Sequence, residues 1–176
     1  MRFAVYASVI TGASAVLLTG CTSGSSAVDT TPPGNPHTFQ ELCDYPKPFF
    51  GKWFHTDDLR VSTAVGKPLT EHLGDTNQCI FNTADSRYLG YLFFDAPTKL
   101  TENKTSTTGK LMVDGVGVEE LPDPLPPYME TEKYTPVKLI ATIEGWRGEF
   151  QFPGGEEQTI QDGAQMLVNT IRALKK

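Results

Sequence analysis

The chain has 176 residues, with 15 basic against 21 acidic side chains and a formal net charge of −6. That length builds one ordinary domain around a single core, plus a tail. The negative balance is the wrong sign for a non-specific nucleic-acid or anionic-lipid surface, which sets those partners aside.

Met1 and Arg2 precede an uncharged stretch from Phe3 to Leu18, the layout of a secretion signal. As a helix rising 1.5 Å per residue, that stretch spans roughly 24 Å, short of the roughly 30 Å hydrocarbon core that a permanent span must cross. Ser8, Thr11, Gly12 and Ser14 dilute it further. Leu18-Thr19-Gly20-Cys21 resembles a bacterial lipobox: an aliphatic residue, two small ones and a cysteine. The resemblance implies cleavage of residues 1–20 and a diacylglyceryl thioether on Cys21. Acyl burial gains about 0.8 kcal/mol per CH₂, so two or more chains anchor stably where one does not. The expectation is a protein tethered to the extracytoplasmic face of the cell membrane rather than spanning it. An ordinary secretory signal followed by a chance cysteine is the alternative.

If Cys21 carries lipid, Cys43 and Cys79 remain, and an exported compartment makes a disulfide between them the default. Metal ligation by the two thiols lacks the close C-x-x-C or H-x-x-x-H spacing of such sites, and neither a metal nor a cofactor is expected. From Thr22 to Pro36 the chain reads "TSGSSAVDTTPPGNP", with almost nothing large and apolar to bury. Residues 21–37 therefore read as a flexible tether with a mean reach of roughly 20 Å, and residues 38–176 as one globular domain.

That domain opens with "HTFQELCDYP", where Thr38 and Glu41 form a capping box and Phe39, Leu42 and Cys43 share a face. A short helix ending at Pro46 follows. "PFFGKWF", residues 48 to 54, is too aromatic for a solvated loop and too broken by Gly51 for a long strand, so it folds onto the core. "NQCIFNTADSRYLGYLFFDAP" predicts a hairpin turning around Thr83-Ala84-Asp85-Ser86. "VKLIATIEGWRGEFQF" predicts a second, with Val137, Leu139, Ala141 and Ile143 on one face, a tight turn at Gly145, and Phe150 and Phe152 returning. The period then changes. Ile160, Ala164, Leu167, Val168, Ile171 and Leu174 oppose Gln161, Asp162, Gln165, Asn169 and Arg172, so residues 159 to 174 form an amphipathic helix, with Lys175 and Lys176 at its negative end. An apolar helical stripe laid on an antiparallel sheet gives an α+β domain.

The lipobox, the polar linker, the cysteine-bearing helix ("ELCDY"), the cysteine opening a hairpin ("NQCIF") and the terminal helix together resemble small actinobacterial cell-envelope lipoproteins, of mycobacterial and corynebacterial type, grouped as a domain of unknown function. The resemblance implies a PsbP-like sandwich of sheet and helices and brings no catalytic residue with it. Temperate phages also encode small lipoproteins that block superinfection at a surface receptor, a role that suits a compact domain on a lipid tether.

No G-x-S-x-G elbow, H-E-x-x-H pair or phosphate-cradling glycine loop is present, and His37, His55 and His72 stand isolated. A trio such as Ser62, His72 and Asp75 arises by chance in a chain this long. Of the acidic pairs Asp57-Asp58, Glu119-Glu120 and Glu156-Glu157, neighbours in a strand point to opposite faces and make no facing carboxylates. A calcium site at Asp57 and Asp58 lacks the oxygen-rich loop spacing. Two readings stand for Phe49, Phe50, Trp53 and Phe54: core packing beside the disulfide, or a surface for a hydrophobic ligand or an envelope protein. "LPDPLPPY", residues 121 to 128, reads as a rigid surface loop or a polyproline docking strip. The functional expectation is a lipid-anchored binding module rather than an enzyme. A superinfection-exclusion factor and an envelope-polymer hydrolase rank behind it.

Overall fold

The computed structural model describes residues 35–56, 58–64, 66–122 and 136–175. Cys21 with its signal and most of the tether, Asp57, Lys176 and the proline run beyond Pro122 lie outside the described residues. The chain before the first helix is pinned at both sides. Asn35 Nδ2 donates to the Leu174 carbonyl at 2.8 Å. Leu73 N donates to the His37 carbonyl at 2.8 Å, Phe39 N to Glu71 O at 3.0 Å and Gln40 N to Leu69 O at 2.7 Å.

Helix α1 (Phe39–Asp44) starts with the expected capping box. Glu41 N donates to Thr38 Oγ1 at 3.3 Å and Thr38 N to Glu41 Oε2 at 2.8 Å, satisfying two amides that a helix start leaves orphaned. Its face of Phe39, Leu42 and Cys43 is buried. Pro46 does not close this segment but opens the next, as the N-cap of α2 (Lys47–Phe54). Proline is tolerated in a first turn because its missing N–H has no intrahelical partner there. "PFFGKWF" therefore folds onto the core as a helix, with Phe49, Phe50, Trp53 and Phe54 along one stripe. His55, in the left-handed conformation at φ 51°, ends it.

Seven strands follow: β1 (Arg60–Thr63), β2 (Thr76–Asn82), β3 (Tyr88–Asp95), β4 (Leu111–Val113), β5 (Val116–Pro122), β6 (Pro136–Ile143) and β7 (Trp146–Pro153). They form one antiparallel sheet in the order β1-β2-β3-β7-β6-β5-β4. Two meanders, β1 to β3 and β4 to β7, meet where β3 pairs with β7. Both predicted hairpins form, β2 with β3 and β6 with β7. The turns Asp114-Gly115 and Glu144-Gly145 have positive φ at both central residues, the geometry that matches the natural twist of a two-residue hairpin.

Alternation assigns the faces. Thr63, Cys79, Leu92, Phe150 and Leu139 lie opposite one another across five strands, and all are buried. Helix α3 (Glu157–Leu174) lays its buried stripe of Ala164, Leu167, Val168, Ile171 and Leu174 on this face. It sits closest at Gly148, where an added Cβ would come within 2.8 Å of Leu167 Cδ1 and 2.9 Å of Ile171 Cδ1. Phe49 packs edge-on to Phe150 and Phe152, and Phe50 against Phe81. The result is an α+β layer of three helices on one side of the sheet. Cys43 and Cys79 form the expected disulfide, with Cα atoms 5.6 Å apart, fastening α1 to β2.

The two meanders approach closely at a glycine beside their shared ladder. The register of β2 against β3 shifts between Phe81 and Asn82, and beside this bulge Gly90 sits at φ 151°. A Cβ there would lie 1.9 Å from the Gln151 carbonyl oxygen, so only glycine lets β3 approach β7 at this point.

Candidate functional site

Because α1 and α2 run into one another at Tyr45 and Pro46, they form a bent ridge beside α3, and a groove runs between the two. One end, a cavity of about 420 Å³, is lined by His37, Glu41, Asp44, Tyr45, Pro48 and Leu174. The other, about 390 Å³, shares Tyr45 and Pro48 and adds Phe49, Lys52 and Trp53 from α2. Helix α3 supplies its far wall with Asp162, Gln165, Met166 and Asn169, whose i, i+3, i+4, i+7 spacing puts them on one stripe beside the buried one.

Asp162 organises this wall. Its Oδ2 accepts from the Trp53 indole N–H at 3.0 Å and pairs with the Lys52 ammonium, while Gln158 donates to Oδ1 at 2.9 Å. The Lys52 hydrogen bond, followed by those of Gln158 and Trp53, holds the Asp162 carboxyl below the usual aspartate range, because each stabilises the ionised form. The Lys52 nitrogen also lies 4.6 Å from the Trp53 ring centroid, a cation–π contact. Trp53 is thus fixed from two sides.

At the opposite end, His37 Nδ1 and Glu41 Oε2 are 3.1 Å apart. The Thr38 backbone N–H, aided by His37, lowers the Glu41 carboxyl. His37 Nε2 is buried without a partner among the described residues.

The four aromatics named from sequence part company. Phe50 is wholly buried and Phe49 nearly so, with one edge reaching the groove. Phe54 is half-buried against both, and Trp53, also half-buried, is the one that lines the groove. The trio Ser62, His72 and Asp75 does not assemble. Ser62 lies opposite Ile80, five residues along β2 from Asp75, or roughly 16 Å at strand rise. His72 Nδ1 is within 3.0 Å of the Pro36 carbonyl. Glu119 and Glu120 do fall in a strand, β5, where alternation turns them to opposite faces. Among the described residues, no three His, Cys, Asp or Glu side chains gather as a metal site.

Asp44, Tyr45, Pro48, Lys52, Asp162, Gln165, Met166 and Asn169 line the groove without having been singled out as site residues from sequence. On the helical wheel Asp162, Gln165 and Asn169 read as solvent face, and only the partner ridge turns that face into a wall. The stripe spacing was the available signal. Among the described residues, no helix is long and apolar enough to cross a membrane. No family model, curated protein or solved structure matches the chain.

Proposed function

We propose that this chain is a lipid-anchored extracytoplasmic lipoprotein that works as a non-catalytic binding module at the cell envelope, with the groove between the α1–α2 ridge and α3 as its binding surface. The anchor rests on the Leu18-Thr19-Gly20-Cys21 lipobox and on the short apolar segment before it. The observation that carries the binding role is Trp53. It is a large amphipathic side chain on a groove wall, half-buried and fixed by Asp162 and Lys52, and tryptophan is enriched among the few residues that carry most of an interface's binding energy. Kinship with the small actinobacterial envelope lipoproteins, and with it a PsbP-like form of the sandwich, belongs to the same proposal. It is supported by the layout of the two cysteines in "ELCDY" and "NQCIF".

Two measurements test the reading. Cys21→Ala is expected to move the protein from the membrane fraction to the soluble one, and the wild-type mature mass to exceed that of residues 21–176 by a diacylglyceryl group. An unmodified Cys21 overturns the anchor. Cross-linking the full chain in intact membranes is expected to capture an envelope component that Trp53→Ala loses, whereas release of cleavage products from envelope polymer by the purified protein overturns the non-catalytic role.

A further inference from the structure

We propose that the groove binds a neutral saccharide chain, an inference that rests on the groove being the binding surface. Tyr45 and Trp53 line it, and neither is fully buried. The carbon-bearing face of a pyranose ring stacks on such aromatic rings, removing apolar area from water on both sides. Opposite them, consecutive turns of α3 carry Asp162, Gln165 and Asn169, whose carboxylate and amides match the paired donors and acceptors of vicinal hydroxyls. Gln165 Nε2 donates to Asn169 Oδ1 at 3.0 Å, and the Asn169 amide N–H groups, the Gln165 carbonyl oxygen and the Tyr45 hydroxyl have no hydrogen-bond partner among the described residues. The Trp53 ring is already oriented through its indole N–H to Asp162, so little ordering remains to be lost on binding.

The same wall argues against an acyl chain. Met166 and Leu174 on this wall, with Pro48 and Phe49 opposite, would receive an alkyl chain, but such a ligand would also strip Asp162, Gln165 and Asn169 of water without replacing those hydrogen bonds. Charge fits a neutral ligand: Asp162 is paired with Lys52 and Asp44 with Lys47, so the groove presents matched charges rather than a field of one sign. From Asp162 to Leu174 the α3 wall runs about 18 Å, room for a short oligosaccharide rather than a single sugar.

The test uses the full chain on phosphatidylcholine nanodiscs, with its tryptophans labelled with ¹⁵N. The protein gives two indole signals; Trp53→Phe assigns the first, and Trp146, stacked on Phe94, serves as an internal control. The probes are neutral tetrasaccharides of glucose, galactose, mannose and N-acetylglucosamine, together with octanol. At least one saccharide is expected to shift the Trp53 signal saturably at millimolar concentration while Trp146 stays still. Asn169→Ala is expected to weaken that binding about tenfold. No shift with any of the four saccharides, or one unaffected by Asn169→Ala and Gln165→Ala together, overturns the inference. A Trp53 shift with octanol alone removes the saccharide and leaves the groove reading standing. If no probe moves Trp53 and Trp53→Ala still captures the same envelope component, both fall.

Discussion

Removing the Cys43–Cys79 bond with a Cys43→Ala/Cys79→Ala pair gives a magnitude that can be worked from the fold. The cysteines are 36 positions apart. In the chain-entropy model, a closed loop of about 37 residues restricts the unfolded ensemble by roughly 13 cal/mol/K, or about 4 kcal/mol at 25 °C. Unfolding entropy near 2.1 cal/mol/K per residue over about 140 residues is roughly 0.3 kcal/mol/K, so the loss becomes a fall in Tm of about 13 °C. Both cysteines are fully buried in the core, and alanine keeps those positions apolar, which limits any added cost. The assay is a pair of thermal melts by circular dichroism, with and without reductant. Wild type in reductant should drop to meet the alanine pair, and the pair should ignore reductant. The urea m-value should rise as the unfolded chain loses its crosslink. A fall in Tm of less than about 4 °C, with thiol titration proving the bond broken, would refute the loop argument.

Gly90→Ala should yield little soluble protein, because its Cβ would sit 1.9 Å from the Gln151 carbonyl oxygen where the two meanders join. Gly74→Ala, with nothing within 4 Å of the added carbon, should melt like wild type, and a folded, fully stable Gly90→Ala protein would contradict the packing described for β3 and β7. Asp95 gives a pH dependence. Burial raises its carboxyl above the ordinary range against the opposing pull of Thr76 and Arg147, and Glu149 adds to the rise; one oxygen is buried with no hydrogen-bond partner among the described residues. A raised folded-state value favours the protonated form, so this group's stabilising contribution is present at low pH and lost as pH rises through that value. Asp95→Asn should therefore raise Tm at pH 7, with the gain over wild type shrinking toward pH 3.5; a gain that grows as pH falls would reverse the sign of the argument.

Long periodic segments were the legible part of this fold. The alternation of Leu139, Ala141 and Ile143 predicted their burial, and the helical spacing from Ile160 to Leu174 predicted α3 to within two residues of its observed start at Glu157. The Thr38–Glu41 box was readable because capping is a local bond between near neighbours. Helix α2 was missed although Phe49, Phe50, Trp53 and Phe54 carry helical spacing, since Gly51 and the prolines weaken every local propensity and tertiary packing decides the outcome. The β4–β5 hairpin had its own signal in Asp114-Gly115, but Gly117, Glu119 and Glu120 break the apolar alternation that would have framed it. The groove was the least legible feature. Half of it comes from the polar side of α3, and a polar stripe becomes a wall only when a second element stands beside it.

The strap before α1 fixes where mechanical load arrives. If the chain is held at Cys21 as proposed, drag on the domain enters at Asn35, beside the end of α3, and is resisted first by the backbone bonds to Leu69, Glu71 and Leu73. Beyond Cys43 the tension crosses the sulfur–sulfur bond directly into β2. The backbone bonds pass load to Leu69–Leu73 and the disulfide passes it to Cys79, so both routes bypass α2 and Trp53, and the groove's inner ridge is spared while the protein is under tow.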